Sequence, residues 1–281
     1  MTRTVIYLRI CLLVGLGVSG CARPPHPQRD AINKLAAEVR PIGGEVEVLE
    51  SGILYVNLFE SKLDKNDTAK MTAILDSVKS IDLPSNLRLR ALTLSPSQLD
   101  QLAACEQVYE LDLTYCKFEP GSLSRLRSLK NLEVLSLAFA EARAEDLEFL
   151  GDLSALRKLD LDSTGATNNT VSILTSLPRL DYLYVNQTQV SNEGVKELAK
   201  IETLTAIGLG SLSAVTDKGL HALSTFKHLD ELDIAGTGIM PQGIEDFLTK
   251  TSVDVLVVGP VLLRDPKLQE LQKKYRKTRF W

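Results

Sequence analysis

The chain has 281 residues, with 32 Lys or Arg against 36 Asp or Glu, so its formal net charge is −4. Removing a leader that contains Arg3 and Arg9 leaves 30 basic against 36 acidic residues, a net charge near −6. This mild acidity argues against general nucleic-acid binding, which needs a basic surface to meet phosphates.

The first twenty residues are typical of a signal peptide. Arg3 and Arg9 form a basic start, and the apolar stretch 10–18 is too short to span a bilayer. The segment ends in VSGC at 18–21, which resembles the bacterial lipoprotein box. The resemblance implies that residues 1–20 are removed and that Cys21 is lipidated. An ordinary secretory signal and an uncleaved anchor are the alternatives.

Residues 21–30 are interpreted as the lipidated Cys and a tether. Several alkyl chains on Cys21 would anchor the protein stably in a membrane, and the Pro-rich segment 22–30 would act as a semi-rigid spacer. The expected location is the cell envelope. Because Ala22 rather than Asp follows the Cys, the family's sorting rule favours the outer membrane in a cell with two membranes.

Residues 31–52 predict an N-terminal cap made of a helix, a Gly-Gly turn and a strand, which would cover the exposed end of a repetitive core. Two irregular repeats are expected to follow. The first is ILYVNLFESKL at 53–63, with Ile53, Val56, Leu58 and Leu63 inward. The second is LRALTL at 89–94, which lies only 19 residues before the next repeat and therefore predicts a shortened unit.

The pattern Leu-x-x-Leu-x-Leu then recurs seven times, with gaps of 24 residues and one gap of 25. Such a period indicates a solenoid, in which each repeat buries its apolar face against its neighbours. Apolar residues at i, i+3 and i+6 in the second half of each repeat indicate short helices, with Thr167, Ser191 and Thr216 as N-caps. The first apolar positions are Val108, Leu132, Leu156, Leu180, Leu204, Leu229 and Val253.

Segments such as LDELDIAGTGI (229–239) resemble the leucine-rich repeat consensus, and QVSNEGVKEL (189–198) and AVTDKGLHAL (214–223) resemble its bacterial VTDxGL subclass. The resemblance covers roughly residues 46–258 and implies an α/β horseshoe, with a parallel sheet on the concave face and short helices on the convex face. The repeats are assigned to 53–258. The Asn or Cys position of the consensus holds Cys116, Ala140, Thr164, Thr188 and Thr237.

Side chains at that position are expected to bond the loop backbone. A Thr hydroxyl can do so, whereas Ala140 cannot, which predicts a looser turn in its repeat. Residues 259–281 predict a basic capping helix, interpreted as a solvated cap; contact with anionic lipid or a cell-wall polymer is the alternative. Cys105 and Cys116 are expected to be free core thiols, although a disulfide between them stays open.

No phosphate-binding loop, HExxH, CxxC or nucleophile elbow is present, so we expect no enzyme, no cofactor and no metal. His221 and His228 show no acidic or Cys partners at useful spacing. Asp112, Asp160 and Asp233 share one column of the predicted sheet. Carboxylates two strands apart would lie about 10 Å from each other, which allows a glycosidase pair, but no pKa-raising environment is evident.

The predicted binding site lies on the concave face, because side chains alternate along strands and the non-Leu positions point outward. Gly208 and its neighbours would leave a hollow beside two exposed phenols, which are typical interface anchors. The predicted partner is an unidentified protein or peptide, and a structural role with binding of cell-wall polysaccharide is the alternative. The site residues are Lys158, Asp160, Asp162, Tyr182, Tyr184, Asn186 and Gly208, with Tyr115 and Phe139 at the strand exits.

Overall fold

The computed structural model describes residues 26–58 and 68–281. The predicted signal peptide, Cys21, the first part of the tether and Leu63 lie outside the described residues. Within the described ranges, every helix is too short or too polar to cross a membrane.

Among the described residues, eleven strands form one sheet, and a pair of two-residue strands forms a second. Every neighbouring pair in the large sheet is parallel except the first, where β1 runs antiparallel to β2. This confirms the predicted solenoid with a parallel sheet. The strands are β1 (Glu45–Val48), β2 (Leu54–Leu58), β3 (Ser85–Leu89), β4 (Thr93–Leu94), β5 (Val108–Asp112), β6 (Lys117–Phe118), β7 (Val134–Ser136), β8 (Lys158–Asp160), β9 (Tyr182–Tyr184), β10 (Ala206–Gly208), β11 (His228–Asp233), β12 (Ser252–Val257) and β13 (Arg279–Phe280).

The helices of the repeats alternate with the strands along the chain and pack on the side of the core opposite the sheet. Segments Ser122–Ser128 and Ala144–Asp152 are 3-10 helices, because apolar residues three apart share one face of a helix with three residues per turn. The α-helices are α1 (His26–Val39), α2 (Thr68–Lys79), α3 (Pro96–Ala103), α4 (Asn168–Leu174), α5 (Asn192–Leu198), α6 (Asp217–Ala222), α7 (Pro241–Leu248), α8 (Gly259–Leu262) and α9 (Pro266–Lys274).

Successive strands pair position for position. Lys158 lies opposite Tyr182, and Tyr182 opposite Ala206, as the Leu period predicts. Residues at the same place in successive repeats therefore form columns about 4.8 Å apart. The Leu columns are buried in a single core, whereas the residues between them form the concave face.

The assignment of LRALTL as a shortened repeat is wrong. The strand of that repeat is β3, where Leu87 pairs with Leu111, 24 residues later. The Leu pattern predicts Leu92 in the strand. This residue instead holds the repeat position that Cys116 holds in the following repeat, and both side chains are buried. The repeat escapes the pattern because Pro84 stands at its first apolar position.

Hydroxyl groups close three of the turns after the strands, as predicted. Thr164 donates to the carbonyl of Leu161 at 2.6 Å, and Thr188 and Thr237 do the same in their repeats. The predicted looser turn at Ala140 is wrong. The Ala140 N–H donates to the Leu137 carbonyl at 3.0 Å. This backbone hydrogen bond closes the turn without any side chain.

A ladder of side chains joins the predicted N-caps of consecutive repeats. Asn168 accepts the N–H of Ser191 at 2.9 Å and donates to its hydroxyl at 3.0 Å. Asn192 makes the same pair of bonds to Thr216, both at 3.0 Å. Each turn thus depends on the repeat before it for a hydrogen-bond acceptor.

The C-terminal segment contains more than the predicted capping helix. Two helices, α8 and α9, precede β13, which pairs in parallel with β12 and extends the sheet by one strand. On α9, Lys267 and Lys274 both pair with Glu245, at 3.2 and 2.9 Å. Part of the basic charge therefore attaches the cap to the preceding repeat.

Candidate functional site

Three aspartates of the concave face end their strands in the same way. Asp112, Asp160 and Asp233 each accept the backbone N–H two residues further on, at 3.0, 3.0 and 2.8 Å. The recurrence shows a structural role that follows from the repeat: an oxygen of each carboxyl group accepts an N–H group where the chain leaves the sheet.

Burial in these columns changes the acidity of two carboxyl groups. Burial, together with the neighbouring charge of Asp162, raises the pKa of Asp160 to about 8. Burial also raises the pKa of Asp233 to about 6. The expectation that no pKa-raising environment exists is therefore wrong, because the depth of these side chains between stacked columns is set by the packing of the solenoid.

Contrary to the prediction, Tyr184 is not exposed beside a hollow. Its ring lies over Gly208, where an added Cβ would be 2.5 Å from Tyr184 Cδ1, and only 6% of the residue is exposed. Burial raises the pKa of its phenol well above the ordinary value. The space left by the small column is thus filled by the protein itself, so Tyr184 cannot be an exposed anchor.

The open hollow lies over Val134 and Ser136 of β7, two strands before the strand of Tyr184. It is a shallow depression of the concave face that is open to solvent. Val134 and Ser136 are the short side chains between the columns of β5 and β8, which creates the space. Its polar and aromatic lining consists of Arg90, Glu110, Asp112, Thr114, Ser136, Lys158, Asp160, Tyr182 and Tyr184.

The rim of this hollow carries both charges. Arg90 contacts Asp112 at 2.6 Å, and the Lys158 ammonium lies 4.3 Å from the centre of the Tyr182 ring, a cation–π contact. Burial raises the pKa of Glu110. Arg90 and Glu110 are both missing from the predicted site. Arg90 belongs to the repeat that the Leu pattern misses because Pro84 replaces its first apolar residue, whereas Glu110 lies on a strand that the pattern does identify.

Asp162 and Asn186, both predicted site residues, bond to each other. The backbone N–H and the side-chain amide of Asn186 donate to the two carboxylate oxygens of Asp162, at 2.8 and 2.9 Å. Asn186 in turn accepts the N–H of Gly210. These contacts replace the aspartate cap in the repeats where Tyr184 and Gly208 cannot supply one, which gives Asp162 and Asn186 a structural function.

Tyr115 and Phe139 form a stacked pair at the strand exits, with ring centres 4.8 Å apart. Both residues have left-handed backbones, with φ of 62° and 57°, and Tyr115 is 55% exposed. Left-handed residues recur in the turns of neighbouring repeats, at Ser163 and Gln187. The structure therefore places this pair at an edge, as predicted, and outside the residues that line the hollow.

Among the histidines, His221 lies exposed on α6. The expectation that His228 lacks acidic partners is wrong. Its Nε2 lies 3.3 Å from Oδ1 of Asp230, two positions along the same strand, and 4.0 Å from Oδ2 of Asp254, which comes from the next repeat. Cys105 and Cys116 are free and buried. Burial raises their thiol pKa to about 11 and about 12, which disfavours the reactive thiolate.

Comparison with known proteins identifies the fold. No protein-family model and no curated protein matches the sequence. Among solved structures, an internalin C2 from Listeria monocytogenes aligns with a TM-score of 0.57 at 19% identity, over 86% of this chain and 100% of that chain. An internalin (inlF) from the same organism aligns at 0.48 and 15%, over 70% and 58%. The first likeness shows a leucine-rich repeat solenoid.

Proposed function

We propose that this chain is a non-enzymatic binding protein of the cell envelope, anchored through lipid on Cys21, whose concave face binds a protein or peptide. The observation that carries the proposal is the open hollow over Val134 and Ser136, with charges of both signs and Tyr182 at its rim. Solenoids commonly use such concave surfaces for binding. Tyrosines beside an apolar floor are frequent interface anchors.

The chemistry of the rim favours a polypeptide of mixed charge. Arg90 and Lys158 lie near Glu110 and Asp112, so a uniformly charged polymer would meet repulsion at one of the two signs. The alternative of a polysaccharide is disfavoured, because Lys158 covers one face of Tyr182. That face is then closed to the stacking of a sugar ring.

Affinity capture from the native cell envelope tests the hollow. Val134→Tyr would fill the hollow without removing a packed group, and Tyr182→Ala would remove the aromatic anchor. We expect each to weaken capture of the partner about tenfold or more, the effect of one interface hot spot. Lys250→Ala, at an exposed position after α7, is the control and should retain the partner.

Identical sets of captured proteins from all variants would place binding outside the hollow and contradict the proposal. Retention of glycan alone, lost in Val134→Tyr, would favour the polysaccharide reading instead.

The anchor is tested separately. Cys21→Ala should abolish incorporation of labelled fatty acid and release the protein from the membrane fraction. Labelling that persists in this variant would refute lipidation at Cys21.

A further inference from the structure

A cluster of one imidazole and two carboxylates lies where β11 and β12 begin, away from the hollow. His228 and Asp230 are two residues apart on β11, so their side chains share one face of the strand. Asp254 lies opposite Asp230 on β12, because the flanking pairs Leu229–Val253 and Glu231–Val255 are in register. One ligand atom from each of the three residues lies within 4.8 Å of the others.

A hydrogen-bond chain orients the imidazole. Ser252 Oγ lies 2.9 Å from His228 Nδ1, within hydrogen-bond distance, and 3.2 Å from the carbonyl oxygen of Lys227. The other ring nitrogen, Nε2, faces Asp230 at 3.3 Å and Asp254 at 4.0 Å. When Nε2 binds a metal ion, the ring proton lies on Nδ1 and is donated to Ser252 Oγ. One imidazole nitrogen and two carboxylate oxygens thus converge on one point, an arrangement that a bound cation would stabilise.

We propose that His228, Asp230 and Asp254 bind a divalent transition-metal ion, with Zn²⁺ as the best fit. Zn²⁺ binds imidazole nitrogen and carboxylate oxygen at about 2.0–2.2 Å, which places tetrahedral ligands about 3.3 Å apart. The separation of 3.3 Å between His228 Nε2 and Asp230 Oδ1 has this value. Asp254 Oδ2 lies 4.0 Å from His228 Nε2, and all three ligand atoms lie within 4.8 Å of one another, so a side-chain shift of Asp254 would complete the geometry.

Two further features favour a transition metal. A hydrogen bond at the second ring nitrogen, here between His228 Nδ1 and Ser252 Oγ, is the arrangement that orients ligating imidazoles in metalloproteins. Mg²⁺ and Ca²⁺ prefer sites made of oxygen ligands alone, so the imidazole disfavours them. The three side chains are all about half exposed, which leaves the fourth position open to water.

Titration of the purified, chelator-treated full chain with Zn²⁺, and with Co²⁺ for its visible absorption, tests the site. We expect one equivalent to bind. His228→Ala and Asp254→Asn should each weaken binding by at least about tenfold, and Ser252→Ala by about 10–100-fold, the usual effect of losing a partner that orients a ligand. His221→Ala, which removes an exposed imidazole from α6, should bind as the wild type does.

The absence of saturable binding at 100-fold excess of Zn²⁺ would overturn the proposal. Equal affinity in the wild type and in His228→Ala would do the same, since the ion would then lie elsewhere. All four substitutions are at surface positions, and circular dichroism of each variant verifies that a loss of binding does not reflect a loss of fold. A rise in melting temperature with Zn²⁺ in the wild type alone would be independent support.

Discussion

Replacing Asp160 by Asn tests the electrostatics of the concave face. Between pH 5 and 7 the native carboxyl, with a pKa of about 8, keeps its proton, whereas the unfolded chain, with the ordinary pKa of 3.8, has lost it. The native state then binds one more proton than the unfolded state. The contribution of Asp160 to stability is therefore complete below pH 3.8 and falls as the pH rises towards 8, by about 1.4 kcal/mol per pH unit.

Asn has no titrating proton. The free energy of unfolding of the variant minus that of the wild type should therefore rise by about 3 kcal/mol between pH 5 and pH 7. Urea unfolding at pH 5, 6 and 7, followed by circular dichroism, measures this difference. Asp246→Asn, on the exposed side of α7, controls for the loss of one surface carboxyl. A difference between variant and wild type that stays constant with pH would refute the protonated state of Asp160.

Substitutions at three further sites test the packing. Asn192→Ala should lower the free energy of unfolding by about 1–3 kcal/mol, because the N–H of Thr216 loses its acceptor, whereas Asn192→Asp keeps that acceptor and serves as the control. Gly219→Ala would bring a Cβ within 2.5 Å of Asn192 Oδ1; it should destabilise the wild type more than the Asn192→Ala variant, and strict additivity in a double-mutant cycle would contradict this. Tyr184→Ala should cost about 3 kcal/mol and Tyr184→Phe much less; a wild-type urea midpoint in Tyr184→Ala would mean that the ring is not buried.

The sheet and its columns could be predicted because the Leu period sets the register by itself. Once Leu159 is paired with Leu183, the outward neighbours Lys158 and Tyr182 must also face each other. The same reasoning failed at β3, where Pro84 stands in place of an apolar residue and hides the repeat that carries Arg90.

The state of individual site residues could not be predicted, because it depends on how side chains fill space between columns. The sequence shows that Gly208 leaves room, but not that the ring of Tyr184 turns into it. Similarly, the acid strength of Asp160 depends on its depth, and one of the two acidic partners of His228, Asp254, lies 26 positions later in the chain. The regular spacing of Asn168 and Asn192 is a signal that could have revealed the ladder.

The reversed first strand has a consequence for self-association. A sheet built from nearly identical repeats is open at its edges to strands from other copies, which is the route to fibres. At one edge β1 runs against the direction of every strand behind it and exposes Glu45 and Glu47. An incoming copy would meet the wrong polarity and two negative charges. The hairpin of β1 and β2 therefore blocks the addition of strands from other copies at this edge. Removing β1 should make the protein prone to aggregation.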